Sequence, residues 1–342
     1  MKVGLIGCGQ VADGHMTVYK NITGVEVVAV ADPIPKKART FATKHGISRT
    51  FTDYVNLLEV KELDFVDICT PTSTHARIAC DVAKFGHNVL LEKPMALSTS
   101  ECEKIIHQSK KHGGSLCVCH NQIFFPSIRR AKSMVDLQLY DLVSFRTSVK
   151  QSPHIYKYPP WNMTAEEGGI LWEAGCHPAY LQLHFLENIT EVYAVGSKVK
   201  YPVYDEFAVL LRSPGQSYGI IEVSWVAEGS EKTYEITSAD GKRAWPQVDG
   251  DYRSILELEK PELGGAVYSE IKRVLRYILR SRHAVGSHLG YFVGHFYLIK
   301  SYMKSLKDGS PPPVPPEEGK KTVRLLECIE QSLNTHEAVP LQ

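Results

Sequence analysis

The sequence predicts an α/β protein with an N-terminal doubly wound parallel sheet and a C-terminal α+β domain. Strand-like and helical segments alternate through the first third of the chain, which is typical of a parallel sheet covered by helices. Beyond residue 122 the pattern changes to long stretches of strand character with one solvated face. We therefore predict one domain over residues 1–122 and a second over 123–342, built on an open, mostly antiparallel sheet.

Short apolar runs separated by helical segments define the first domain. The predicted strands cover residues 1–6, 25–31, 65–69, 88–91 and 115–119, and the predicted helices cover residues 10–20, 36–44, 76–85 and 99–111. Each strand is too short to be a helix and is followed by turn residues or a helical pattern.

The second domain is predicted to begin with a helix over residues 127–136, after Pro126. The predicted strands cover residues 142–150, 192–200, 207–212, 218–225 and 232–238, with turns at 213–215 and 239–241. Helices are predicted over residues 269–282, 291–306 and 317–333, and a proline-rich linker over 310–316.

The composition and net charge of the chain indicate which class of protein and which partners to expect. The 342 residues are 43% hydrophobic and 23% charged, which is typical of a globular protein in water, and the net charge of +1 gives no reason to expect a nucleic-acid partner. We expect no membrane partner, because no apolar run approaches the roughly 20 residues that a bilayer requires. The N-terminus enters a strand directly rather than a signal peptide, and the eight cysteines lack the spacing of a disulfide framework. We expect reduced thiols in a cytoplasmic protein.

The first 32 residues contain a complete dinucleotide-binding pattern. Gly7 permits a tight turn, Gly9 lets the backbone approach a pyrophosphate, and Ala12 allows close packing of helix and strand. The helix N-terminus at Gln10 and Val11 offers N–H groups to the phosphates. The alternative, a glycine turn in another kind of α/β protein, is disfavoured by the spacing. The first domain is thus predicted to be a Rossmann domain.

An acidic residue ends the second strand at the position expected for a ribose-binding carboxylate. Asp32 should hold the ribose hydroxyls and repel a 2′-phosphate, which favours NAD over NADP as the cofactor. Lys36, Lys37 and Arg39 lie nearby, and a solvated helix face explains them better than phosphate binding does.

Two further segments follow strands and should face the cofactor crevice. Residues 70–75 follow the third predicted strand, where ligands bind in doubly wound sheets, although simple helix capping by Ser73 or Thr74 also fits. Glu92 and Lys93 follow the strand at 88–91. This position favours a functional lysine over a merely solvated charge.

A third segment combines a glycine pair with titratable residues. Glu173 and His177 are four apart and would share one face of a helix, and Gly168-Gly169 would permit close backbone approach. A zinc site that includes Cys176 lacks further ligands in the sequence, so no metal is predicted. Residues 117–120 also contain Cys and His but fit a buried strand, because alternate side chains point to opposite faces.

Taken together, these motifs resemble the Gfo/Idh/MocA family of glucose–fructose oxidoreductases, inositol dehydrogenases and rhizopine-catabolism dehydrogenases. The matching motifs are Gly7-Cys8-Gly9 with His15, Thr70-Pro71 with His75, Gly86 through Glu92-Lys93-Pro94, His120-Asn121-Gln122, Trp161, Gly168-Gly169 with Gly175 and His177, and Pro312-Pro313-Val314. The resemblance spans essentially the whole chain. It implies a Rossmann domain with an open-sheet domain, and NAD(P)-dependent oxidation or reduction at a sugar or cyclitol carbon.

The resemblance and the glycine motif together give a set of candidate site residues. Lys93, His177 and Glu173 are the catalytic candidates. The cofactor-binding candidates are Gly7, Gly9, Gln10, Val11, Ala12, Asp32, Thr70, Pro71, Thr72, His75, Glu92, Lys93 and Asn121. The substrate-binding candidates are Lys93, Tyr156, Trp161, Asn162, Glu173, His177 and Tyr180.

The chain departs from the family pattern at four of these positions. Relatives commonly have Asn in place of Thr72, Arg in place of Asn162, and Asp in place of both Glu173 and Tyr180. Tyr180 removes a carboxylate that contacts substrate hydroxyls or supports proton transfer in many relatives. These departures favour a substrate other than inositol, with different hydroxyl geometry or a bulkier aglycone.

Oxidation of a secondary alcohol requires a base, and two residues are candidates. Burial, oxidised nicotinamide and a protonated His177 would lower the pKa of Lys93, whereas His177 already titrates near neutral pH. We expect these two residues to share proton transfer at the substrate oxygen, with Glu173 tuning or orienting His177. The sequence does not decide which of the two takes the proton.

Three functions stay open at this stage. The first is an NAD-dependent sugar or cyclitol dehydrogenase or reductase. The second is a lyase or glycosidase that oxidises the sugar transiently at C3 without net redox, and the third is a non-catalytic NAD sensor.

Two surfaces add expectations about substrate and assembly. A basic run in the predicted helix at 269–282 is either a solvated or subunit-contact face or a site for an anionic substrate such as a nucleotide-sugar or uronic acid. Its members are Lys272, Arg273, Arg276, Arg280 and Arg282. The open sheet suggests a homodimer or homotetramer, as the resemblance also implies.

Overall fold

Two sheets organise the chain in the computed structural model, which describes residues 1–153, 163–246, 255–258 and 289–341. Several sequence predictions lie outside these residues. They are the helix at 269–282 with its basic run, and the substrate candidates Tyr156, Trp161 and Asn162.

The N-terminal sheet is parallel throughout, as predicted. Its strands are β1 (Lys2–Ile6), β2 (Glu26–Ala31), β3 (Arg49–Phe51), β4 (Phe65–Ile68), β5 (Asn88–Leu91) and β6 (Leu116–Val118). Its helices are α1 (Gln10–Tyr19), α2 (Pro35–His45), α3 (Tyr54–Leu58), α4 (Thr72–Lys84) and α5 (Thr99–His112). The strand order is β3-β2-β1-β4-β5-β6, so the winding direction reverses between β1 and β4. Ligands bind in this type of fold at the crevice that such a reversal creates.

The sequence missed β3 and α3. The strand has only three residues, Arg49–Phe51, and pairs with β2 at the edge of the sheet. Asp53 caps α3 by accepting a hydrogen bond from the backbone N–H of Val55 at 2.9 Å. Elements this short carry almost no periodic signal, so tertiary packing decides them.

The second sheet is mostly antiparallel, as predicted. Its strands are β7 (Leu142–Gln151), β8 (Glu191–Ser197), β9 (Glu206–Arg212), β10 (Tyr218–Ser224), β11 (Ser230–Ser238), β12 (Arg243–Pro246), β13 (Ile255–Leu258) and β14 (Val339–Pro340). They lie in the order β13-β12-β11-β7-β10-β9-β8-β14, and β7 and β10 run parallel. The sequence analysis did not identify β12, β13 or β14.

Helices cover one side of this sheet and connect it to the first domain. They are α6 (Pro126–Asp136), α7 (Gly169–Glu173), α8 (Cys176–Phe185), α9 (Val293–Asp308) and α10 (Pro316–Thr335). The proline-rich segment before α10 contacts β6, because the N–H of Val118 donates to the carbonyl of Val314 at 3.0 Å. In α10, Glu327 accepts hydrogen bonds from the backbone and hydroxyl of Thr99 in the first domain. The C-terminal helices therefore bind both domains together. The boundary at residue 122 stays a prediction.

Among the described residues, no helix combines the length and apolar character needed to span a bilayer. All eight cysteines carry free thiols in the structure.

Candidate active site

The glycine loop between β1 and α1 has the geometry predicted from its sequence. Gly7 has φ of +94°, and a Cβ there would lie 2.5 Å from the carbonyl oxygen of Cys69, so only glycine fits. Gly9 immediately precedes α1, and a Cβ there would meet nothing within 4 Å. Ala12 is completely buried. The open space above Gly9, beside the free N–H groups at the start of α1, suits the pyrophosphate of a dinucleotide.

Asp32 is held rigidly at the end of β2. Its carboxylate accepts hydrogen bonds from the backbone N–H of Cys8 at 3.0 Å and of Ile34 at 2.9 Å. These bonds fix the charge beside the glycine loop, and an ionised carboxylate retains further lone pairs for ribose hydroxyls. The residues present therefore fit NAD.

The turn after β4 is only partly as predicted. Thr70, Pro71 and Thr72 are half-buried at the start of α4, and their contact with the cofactor stays a prediction. His75 is fully buried, and its ring nitrogens lie 2.9 Å from the carbonyl oxygens of Pro94 and Thr70. Direct cofactor contact by His75 is therefore not supported. The imidazole instead ties the turn after β4 to the turn after β5.

Lys93 projects from the end of β5 and forms an ion pair across the domain boundary. Its Nζ lies 3.0 Å from Oε1 of Glu173 and 3.2 Å from the backbone oxygen of the same residue, and its side chain is 9% exposed. Burial acts to lower the pKa of Lys93, but the carboxylates of Glu173 and Glu92 outweigh it and raise that pKa above its ordinary value. Our expectation of a lowered pKa was wrong in this ligand-free geometry, because it omitted the ion pair with Glu173.

Glu173 and His177 do not share one helical face, contrary to the sequence prediction. Glu173 is the last residue of α7, and His177 lies in the first turn of α8. Ala174 and Gly175 separate the two helices, and a Cβ at Gly175 would lie 2.5 Å from the carbonyl oxygen of Leu171, so this position excludes a side chain. The break separates the roles of the two residues. Glu173 holds Lys93, and the orienting group for His177 is a different residue.

His177 is oriented by Tyr180, one turn further along α8. Nδ1 of His177 lies 2.7 Å from the Tyr180 hydroxyl, which also accepts a hydrogen bond from the backbone N–H of Gln122 and donates to Oδ1 of Asn121. Tyr180 is 2% exposed and Asn121 is 1% exposed. Burial of both side chains does not favour the predicted direct contacts of Tyr180 with substrate and of Asn121 with cofactor, which stay predictions.

The electrostatic states of the two catalytic candidates are opposite. Burial first, and then the positive charge of Lys93, lower the pKa of His177 well below its usual range. His177 is therefore neutral at pH 7, while Lys93 is a cation. A neutral imidazole can accept a proton, and an ammonium can stabilise a negative oxygen.

A buried charge cluster lies under this site. His15 contacts Asp67 through Nδ1 at 2.8 Å and Glu92 through Nε2 at 3.0 Å, and Tyr19 donates to the same Asp67 oxygen at 2.7 Å. Burial opposes the charged imidazole, but Asp67 raises the pKa of His15 well above its ordinary value. Glu92 thus faces inward onto His15, and the predicted cofactor contact of its carboxylate is not supported.

Sequence reasoning missed two members of this neighbourhood. Cys119 and His295 place ligand-type atoms within 4.8 Å of those of His15 and Glu92. Because both ring nitrogens of His15 already contact carboxylates, an imidazolium between two anions accounts for this geometry without a metal ion. The motif at 117–120 contained Cys119, but no local signal linked it to His295 at the other end of the chain.

Two family models match the chain. One, described as the oxidoreductase family with an NAD-binding Rossmann fold, matches residues 1–120. The other, the GFO/IDH/MocA C-terminal domain, matches residues 128–243. The chain is an NAD-binding oxidoreductase, and it belongs to the Gfo/Idh/MocA family.

The individual relatives share between 18% and 33% sequence identity with this chain. Myo-inositol 2-dehydrogenase of Thermotoga maritima is 24% identical over 357 residues, covering 100% of this chain and 99% of the relative. The 4-carboxy-2-hydroxymuconate-6-semialdehyde dehydrogenase of a Sphingobium species is 33% identical over 221 residues, covering 62% of this chain and 66% of the relative. The WlbA dehydrogenase of Bordetella pertussis, solved with NADH and UDP-GlcNAcA, has a TM-score of 0.81 at 18% identity, covering 100% of this chain and 98% of that one. These relatives are all dehydrogenases, so the lyase and sensor alternatives gain no support from them.

Proposed function

We propose that the chain transfers a hydride between NAD and a secondary alcohol carbon of a sugar, a sugar derivative or a cyclitol. The proposal is supported by Lys93, directly after β5, and by His177, whose pKa is lowered by burial and by the Lys93 charge, because each of the two side chains has a defined partner. Lys93 is held by Glu173 at 3.0 Å and His177 by Tyr180 at 2.7 Å. A charged donor and a neutral acceptor are thereby fixed where the β5 strand meets the cofactor crevice.

The two residues have complementary roles in alcohol oxidation. NAD, when bound, supplies the hydride acceptor. His177 takes the hydroxyl proton, because its lowered pKa keeps it neutral at pH 7. The Lys93 ammonium holds the substrate oxygen and stabilises the negative charge that develops there. Glu173 keeps Lys93 charged and in place. In the direction of reduction, the same groups return the proton to the oxygen.

The substrate class is supported by the relatives and by the polar character of the site. Myo-inositol 2-dehydrogenase matches over the whole chain, and the structure with UDP-GlcNAcA has the same fold. Tyr180 leaves the site with one carboxylate fewer than the family pattern, which favours a substrate other than inositol. Nucleotide-sugars and uronic acids belong in the test because their negative charge suits Lys93.

A homodimer or homotetramer formed through the open sheet is also part of this proposal. Tyr193 and Val195 on β8 and Leu210 on β9 are 42%, 48% and 50% exposed, and Tyr193 lies opposite Leu210 in the ladder. Exposed apolar side chains that adjoin in this way form a patch suited to a second copy of the chain. The free thiols support a reducing compartment such as the cytoplasm.

A substrate panel tests the proposed reaction. The purified protein would be incubated with NAD and with cyclitols, aldoses, uronic acids and nucleotide-sugars in turn, and NADH would be followed by absorbance. We expect one class to give NADH in a 1:1 ratio to oxidised product. Product without net NADH, together with NAD retained on the protein, would replace this function with transient oxidation. The absence of both NADH and product with every class would contradict the proposed substrate class.

A further inference from the structure

We infer that Tyr180 and Asn121 fix His177 as the tautomer with its proton on Nδ1, which leaves Nε2 free to take the substrate proton. This inference rests on the proposed function, since it names the atom of His177 that reacts. It assigns positioning roles to two buried residues, Tyr180 and Asn121. Tyr180 occupies a position where the family pattern has a carboxylate.

The hydrogen bonds around the Tyr180 hydroxyl determine where its proton lies. The backbone N–H of Gln122, at 3.1 Å, can only donate to the hydroxyl oxygen. Oδ1 of Asn121, at 3.2 Å, can only accept, so it takes the hydroxyl proton. A third neighbour is Nδ1 of His177 at 2.7 Å. With the hydroxyl proton directed at Asn121, this short contact is a hydrogen bond only if Nδ1 carries the proton and donates it.

The orientation of the Asn121 amide is fixed from its other side. Nδ2 of Asn121 lies 3.2 Å from Nδ1 of His295. Burial above all lowers the pKa of His295 to about 3, so this imidazole is neutral. Its Nε2 lies 3.9 Å from a carboxylate oxygen of Glu92, which favours the proton on Nε2 and leaves Nδ1 as an acceptor. The amide nitrogen therefore faces His295, and the amide oxygen faces Tyr180.

The opposite tautomer of His177 is disfavoured by the same contacts. If the Tyr180 hydroxyl donated to Nδ1 of His177, the amide oxygen of Asn121 would face an oxygen lone pair at 3.2 Å. A buried acceptor left against a lone pair is destabilising, because it loses the hydrogen bond that would offset its removal from water. With Nδ1 occupied inside the protein and the ring half-buried, Nε2 is the nitrogen that a substrate hydroxyl can reach.

The charges that face His177 favour the neutral ring in either tautomer. Lys93 after β5 and Lys232 on β11 oppose a positive charge on His177, whereas the neighbouring rings of His295 and His120, with pKa values lowered to about 3, are neutral at pH 7. His120 also stacks on the Tyr180 ring, with centroids 4.3 Å apart. A tyrosine hydroxyl can orient the imidazole among these groups without the ion pairing that a carboxylate would provide. Tyr180 therefore selects the tautomer of neutral His177 without stabilising the protonated, charged form of that ring.

Nitrogen NMR on ¹⁵N-histidine-labelled protein tests this inference directly, without substrate or turnover. The signals of His177 would be assigned by their loss in His177→Asn. In the wild type we expect a protonated Nδ1 and an unprotonated Nε2. An Nε2–H tautomer in the wild type would overturn the inference, whatever the behaviour of the variants.

Two substitutions sharpen the test. Asn121→Ala removes the acceptor of the hydroxyl proton, so Tyr180 should then donate to Nδ1 and the Nε2–H form of His177 should become the major one. Tyr180→Phe removes the hydroxyl, and we expect a mixture of tautomers. Tyr302→Phe is the matched control, because it deletes another fully buried hydroxyl, bonded to the carbonyl of Ser115 at 2.9 Å. We expect wild-type His177 signals in this control. Unchanged Nδ1–H in folded Asn121→Ala would contradict the inference.

The kinetic consequence separates this inference from the proposed function. With a substrate found in the panel, Asn121→Ala should lower kcat about tenfold or more with a smaller change in KM, because proton transfer rather than binding is impaired. The Nδ1–H tautomer in a protein that oxidises no alcohol would remove the proposed function and leave the tautomer assignment standing. An Nε2–H tautomer in an active dehydrogenase would remove the tautomer assignment and leave the proposed function standing.

Discussion

Nζ of Lys93 lies 3.0 Å from Oε1 of Glu173, so an ion pair joins the end of β5 in the parallel sheet to the end of α7. Both side chains are partly enclosed, with 9% and 27% of the side-chain surface exposed. The pair keeps Lys93 charged in surroundings that would otherwise favour its neutral form. Lys93 is thereby an electrostatic partner for the substrate oxygen, and His177 is the residue suited to take the proton.

Removal of the carboxylate should change the pH dependence of turnover. Glu173 raises the pKa of Lys93 against the lowering effect of burial, so wild-type activity that needs the ammonium is lost only above the ordinary lysine value near ~10.4. In Glu173→Gln, no carboxylate at this position offsets the lowering effect of burial on the pKa of Lys93. The loss of activity should therefore begin at lower pH. The pH profile of kcat/KM measures this shift. Glu166→Gln, at an exposed position nearby, should leave the profile unchanged, and an unshifted alkaline limb in Glu173→Gln would contradict the assignment.

The two glycines of the nucleotide loop should respond differently to alanine. At Gly9 an added Cβ meets open space and φ is −91°, so Gly9→Ala should change the free energy of unfolding by less than about 0.5 kcal/mol. It should still weaken NAD binding at least about tenfold, because the methyl group obstructs the pyrophosphate. Calorimetric titration with NAD and denaturant unfolding measure the two effects.

Gly7→Ala provides the structural contrast. The positive φ and the nearby Cys69 carbonyl should cost roughly 1–3 kcal/mol of stability, together with NAD affinity. Wild-type NAD affinity in Gly9→Ala would show that the pyrophosphate does not lie over this loop.

The buried cluster around His15 should be important for stability. His15→Gln leaves Asp67 and Glu92 without their shared cation, and loss of one partner from buried ion pairs costs roughly 3–5 kcal/mol. Denaturant unfolding measures this loss. Lys84→Met, which removes an exposed partner of Asp81, should leave the free energy of unfolding close to that of the wild type.

The free energy of unfolding lost in His15→Gln should be larger at low pH than at high pH. The pKa of His15 is raised in the folded protein, so its contribution is complete below the unfolded value near ~6.5 and declines as pH rises through the folded value. The difference in unfolding free energy between wild type and His15→Gln should therefore be larger at pH 6 than at pH 9. An equal or smaller difference at pH 6 would mean that His15 is not the cation of the cluster.

The exposed face of the open sheet should control assembly. Leu210→Lys places a charge opposite Tyr193, at the centre of the apolar patch, and should convert an oligomer into monomers. Sedimentation velocity measures the mass of each species. Val199→Lys, at an exposed position just beyond β8, should keep the wild-type mass. A monomeric wild type, or an unchanged mass in Leu210→Lys, would contradict assembly through this face.

Features set by local sequence were predictable. The glycine loop, α1 and Asp32 follow from the spacing of a few neighbouring residues, and the parallel sheet follows from alternating strands and helices. The break at Gly175 was not predictable in the same way. It depends on how closely the Leu171 carbonyl approaches, a contact that periodicity does not encode. Glu173 and His177 therefore appeared to share a helical face in the sequence.

Long-range partners account for the remaining differences. His75 and Glu92 follow strands that end at the crevice, which made cofactor contact a reasonable prediction, but both side chains face inward. The partners of His75 are two backbone carbonyls and a partner of Glu92 is His15, and no spacing in the sequence marks these contacts. His295 reaches Asn121 from 174 positions along the chain, so its part in orienting the amide emerges only in the folded protein.

Turnover by Lys93→Met at saturating NAD is the measurement that tests the central claim most directly. Methionine keeps the length of the side chain but removes the ammonium that Glu173 holds. With the substrate identified in the panel, kcat/KM should fall about 10²- to 10³-fold, while Lys84→Met retains wild-type turnover. Near-full turnover in Lys93→Met would contradict a catalytic site built on Lys93 and His177.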